Sequence, residues 1–118
     1  MKEIDKLDIQ KIKNDEWNYI KMIYPKAFSK IREWNFSVDS NKNPYDLWLD
    51  DKKLYTFFDK EGIYVCPRVD TESEFYVEVW ISGCLSYGKH DCINREDAEL
   101  YGFLYAIYSL ERALANER

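Results

Sequence analysis

The stretch EFYVEVWIS, Glu74 to Ser82, decides the fold. Phe75, Val77, Val79 and Ile81 point to one side of an extended chain; Tyr76, Glu78 and Trp80 point to the other. β-Branched and aromatic residues fill it, as a pleated, half-buried surface requires. A strand with one wholly apolar face needs partners beside it and a layer above it. Upstream, IYVCPRV (Ile63 to Val69) alternates in the same way, with Pro67 marking an edge strand or a bulge. Asp70 to Ser73 reads as the turn between them. Downstream, Gly83 opens a second turn, and Cys84 to Lys89 is expected as a third, short strand. The three form an antiparallel meander.

The layer above the meander is the last element. Asn94 is a helix cap, with Asp97 at the third position of the first turn. A helix from there to Glu117 is about 36 Å long at 1.5 Å per residue. Leu100, Phe103, Leu104, Ile107, Leu110 and Leu114 make its main apolar stripe. Val77, Val79, Leu104 and Ile107 are therefore expected to be buried together. Tyr101, Tyr105 and Tyr108 form a second stripe that diverges from the first. The expectation is that residues before Trp34, rather than the sheet, shield these rings, with a second copy of the chain as the alternative.

The first half reads as helix. Ile4, Leu7, Ile12, Trp17, Ile20, Ile23 and Tyr24 recur at three- and four-residue steps, with Asn14–Asp15 as a break. Pro25 disfavours helix at Tyr24 and suits the first turn of a new one, whose stripe is Ala27, Phe28, Ile31 and Trp34. Ser37 to Asn43 is polar and reads as a loop, followed by the apolar patch Tyr45, Leu47 and Trp48. DKKLYTFFDKEG then places Leu54, Phe57 and Phe58 on one helical face, with Gly62 suited to end the helix in the left-handed conformation. A strand is the competing reading for LYTFF.

The fold class is thus α+β: N-terminal helices, a three-stranded antiparallel meander, and a long C-terminal helix packed on the sheet. At 118 residues the chain fits one domain, with residues 1–24 either part of it or a separate helical extension. The longest uncharged runs, Val79–Gly88 and Leu100–Leu110, are about half the ~20 residues of a membrane span. The first sixteen residues mix acids and bases without an apolar signal core, so a cytoplasmic protein is expected. Cys66, Cys84 and Cys92 are then free thiols.

Chemistry-bearing constellations are few. His90 is the single histidine, and Cys84, His90 and Cys92 supply three soft ligands where structural zinc wants four. No metal is expected. Four scattered glycines form no phosphate loop. No catalytic set emerges, so neither enzymatic activity nor a cofactor is expected. A net charge of −5, with bases interleaved among acids, argues against nucleic acid as a partner. The feature left over is the outer face of the meander. Tyr64, Arg68, Tyr76, Glu78 and Trp80 share it, and aromatics on a sheet face anchor protein partners. In the competing reading the N-terminal helices, with Trp17, Phe28 and Trp34, cover this face as core.

From Pro25 to Leu114 the order of elements, with EFYVEVWISG leading into a final helix, resembles the double-stranded-RNA-binding domain. That family's RNA contacts use a basic cluster at the start of the last helix. Asn94-Arg95-Glu96-Asp97 stands there instead, so the activity is not expected. YPKAFSKIREW, LYTFFDKEGIYV and NREDAELYGFLYAIYSLERAL are similar to small uncharacterised proteins of bacteriophages and integrated mobile elements. That resemblance implies an origin and a size class rather than a mechanism. The expected function is a small cytoplasmic, non-enzymatic protein that binds another protein, as a phage-encoded host-directed inhibitor or adaptor. The alternative is a small ligand-binding or enzymatic domain with a cleft between the N-terminal helices and the sheet. A nucleic-acid mimic is a third reading, which the modest charge counts against. A monomer is favoured, with a homodimer as the alternative.

Overall fold

The computed structural model describes residues 22–38, 51–70 and 74–116. In chain order these hold α1 (Pro25–Val38), α2 (Asp51–Lys60), β1 (Ile63–Val69), β2 (Phe75–Ile81), β3 (Cys84–Cys92) and α3 (Arg95–Asn116). The strands form one antiparallel sheet in the order β1-β2-β3, and the long α3 packs across all three. The fold is α+β with the expected connectivity. The helix expected before Ile20, Trp17 within it, the loop residues 39–43 and the patch at Tyr45, Leu47 and Trp48 lie outside the described residues.

Local chemistry sets each boundary. The helical residues 22–23 are interrupted at Tyr24, just before Pro25. A new helix leaves its first N–H groups without intrahelical partners. Here each is accounted for. Pro25 has no N–H, the Phe28 amide donates to the Tyr24 carbonyl at 3.0 Å, and Lys26 and Ala27 donate to Glu111 Oε1 at 2.7 and 2.9 Å. Glu111 belongs to α3, so a carboxylate from one helix caps the next and holds the pair together. α1 continues to Val38, which places Ser37 in the helix rather than in the expected loop.

α2 is a helix, as the Leu54, Phe57, Phe58 spacing requires, and all three side chains are fully buried. It ends where the Gly62 amide donates to the Asp59 carbonyl at 3.0 Å, with Gly62 at φ 77°. A Cβ there would meet nothing within 4 Å, so backbone conformation rather than space makes glycine the fitting residue. Ser82 and Gly83, at φ 52° and 81°, form the two-residue turn between β2 and β3. Two consecutive positive φ values match the right-handed twist of the strands they join. At α3, Asn94 Oδ1 accepts from the Asp97 amide at 2.8 Å, the expected cap.

The core lies between the sheet and the helices. Val77, Val79, Leu104 and Ile107 are fully buried, as the alternation of EFYVEVWIS requires. Ala27, Phe28 and Ile31 of α1 join the same cluster. α3 comes close to the sheet at Gly102: a Cβ there would stand 2.6 Å from Val65 Cγ1 and 2.7 Å from Val77 Cγ2.

β3 departs from expectation and runs to Cys92 rather than Lys89. It carries two bulges. Val79 pairs with Tyr87 and Trp80 with Leu85, which leaves Ser86 extra. Val77 pairs with Lys89 and Phe75 with Cys92, so three steps on β3 oppose two on β2, with Asp91 at φ 61° absorbing the excess. Bulges increase local twist and bend the strand. The bent strand reaches the tyrosine stripe. Tyr87 stacks on Tyr105 (4.4 Å between centroids, 10° between planes), and Lys89 Nζ lies 5.1 Å from the Tyr101 ring centre. The expectation that the sheet cannot reach this stripe is therefore corrected; among the described residues before Trp34, Tyr24 supplies cover as expected. Tyr24 packs edge-on against Tyr108 at 6.1 Å, while β3 shields the other two rings.

Candidate functional site

The five residues singled out from sequence stand on one face. β1 contributes Tyr64 and Arg68; β2 contributes Tyr76, Glu78 and Trp80. The register sets Tyr64 directly opposite Trp80 and Arg68 opposite Tyr76, with Cys66 opposite Glu78. Period-two geometry turns all of them away from the helices, because Val65, Val77 and Val79 between them point into the core. Tyr64 is 46% exposed. Arg68 Nε forms an ion pair with Glu78 Oε1 at 3.1 Å across the strands. Both side chains touch water, so the pair is worth at most about 1 kcal/mol.

β3 extends the face with residues that alternation alone does not assign. Leu85, opposite Trp80, is exposed. His90 stacks on Tyr76 with 5.0 Å between centroids and 13° between planes. That both stand on this side follows from the bulge at Ser86, which lies between them. At the far end, the rim of the face becomes concave. An open cleft of about 390 Å³ is lined by Pro67, Arg68, Val69, Phe75, Tyr76 and Arg95. Arg95 is the first residue of α3, and its Nε lies 3.4 Å from Glu99 Oε1.

The described helices do not cover this face. Every one of them sends its buried residues into the core cluster on the other side of the sheet. Phe28 is buried in that cluster, and Trp34 packs on Phe57 of α2 at 5.5 Å. Of the three aromatics expected as cover, these two lie on the opposite side, and Trp17 is outside the described residues.

The thiols are spread out. Cys84 opens β3 exposed and Cys92 closes it buried, about 25 Å apart at ~3.3 Å per strand residue. Cys84, His90 and Cys92 thus do not converge, and among the described residues no group of three His, Cys, Asp or Glu side chains is placed to hold a metal ion. Burial pushes the Cys92 thiol above its ordinary range, and Asp97 and Asp91 add to the shift against an opposing Lys89. A thiol held protonated in this way is a poor nucleophile. No described helix is long and apolar enough to cross a membrane.

Comparison with family models, with characterised protein sequences and with solved structures finds no match to this chain.

Proposed function

We propose that this chain is a non-enzymatic, cytoplasmic binding protein whose outer sheet face seats a partner protein. One observation carries the reading: the face bearing Tyr64, Tyr76 and Trp80 lies opposite the core that all described helices share. Large aromatics around an ion pair, with an exposed Leu85 beside them, have the composition of an interface centre rather than of ordinary surface. The net charge of −5 favours a protein over a polyphosphate as the occupant. A host-directed inhibitor or adaptor of phage or mobile-element origin fits this chemistry.

The test is site-specific photo-crosslinking with the full chain in its native cells. A photoreactive residue at position 64 is expected to give one adduct of defined mass. The same residue at position 115, exposed on α3 behind the sheet, is expected to give none. Trp80→Glu should abolish the adduct while leaving the circular dichroism spectrum unchanged. Equal labelling from both positions, or none from position 64, overturns the proposal.

A further inference from the structure

We draw no further inference here: the strongest candidate, the edge of β3 beside the exposed Leu85, which no other described strand pairs, is blunted by bulges at Ser86 and Asp91, and nothing in the structure shows what covers it.

Discussion

Phe57→Ala and Phe58→Ala are each expected to cost about 3–5 kcal/mol in chemical denaturation, the range for truncating a buried phenylalanine. Adjacent residues seldom both carry such a penalty. In a strand, Phe57 and Phe58 would face opposite sides, and one of them would be nearly free to change. In α2 both are fully buried, edge to face at 5.2 Å, because neighbours on a helix can flank one broad stripe. Phe58 continues the contact to Phe103 of α3 at 6.1 Å, so its loss opens a cavity where two helices meet. Thr56, exposed on the same helix, is the control, and Thr56→Ala should stay within about 0.5 kcal/mol. A large effect at Phe57 with none at Phe58 contradicts the helix.

Gly102→Val is the second large effect, expected near 3 kcal/mol, the upper end for an overpacked core. At an exposed helix position, replacing glycine stabilises, since glycine is about 1 kcal/mol worse than alanine there. At position 102 the sign reverses. The new Cβ would lie inside contact distance of Val65 and Val77, whose branched side chains are stiff and buried. Gly102→Ala should destabilise in the same direction by less. Equilibrium unfolding in urea measures both, and a Gly102→Ala variant more stable than the parent means that α3 does not ride this close to the sheet.

Much of this architecture was legible because period and punctuation agreed. The two-residue alternation of EFYVEVWIS fixes which side of β2 meets α3, and Val77 and Val79 are buried accordingly. Gly62 and Asn94 end and begin helices through conformations and hydrogen bonds that those residue types favour. β3 was legible only in part. Its bulges break the alternation at Ser86 and Asp91, so simple counting puts Leu85 and Tyr87 on the same side when they face opposite ways. The stacking of Tyr87 on Tyr105 and of His90 on Tyr76 follows from that break. The Glu111 cap spans more than eighty residues, and no local pattern announces a carboxylate that serves a distant helix. Gly102 did carry a signal: a glycine inside an otherwise apolar helical run marks close backbone approach. For the candidate face, strand pattern alone grouped Tyr64, Arg68, Tyr76, Glu78 and Trp80. Arg95 was invisible, because its nearness to Arg68 depends on how α3 leaves the end of β3.

A partner can dock on the outer face of the sheet only if that face is open in the free molecule. Hydroxyl-radical footprinting of the isolated full chain, read by mass spectrometry, measures this at single residues. Tyr64 is expected to be oxidised several-fold faster than Tyr105 or Tyr87, which are stacked on each other inside the molecule. Trp80 should fall with Tyr64 rather than with the core. Protection of Tyr64 and Trp80 to the level of Tyr105 in the monomer would mean that the chain covers this face itself, and would contradict a surface held ready for a partner.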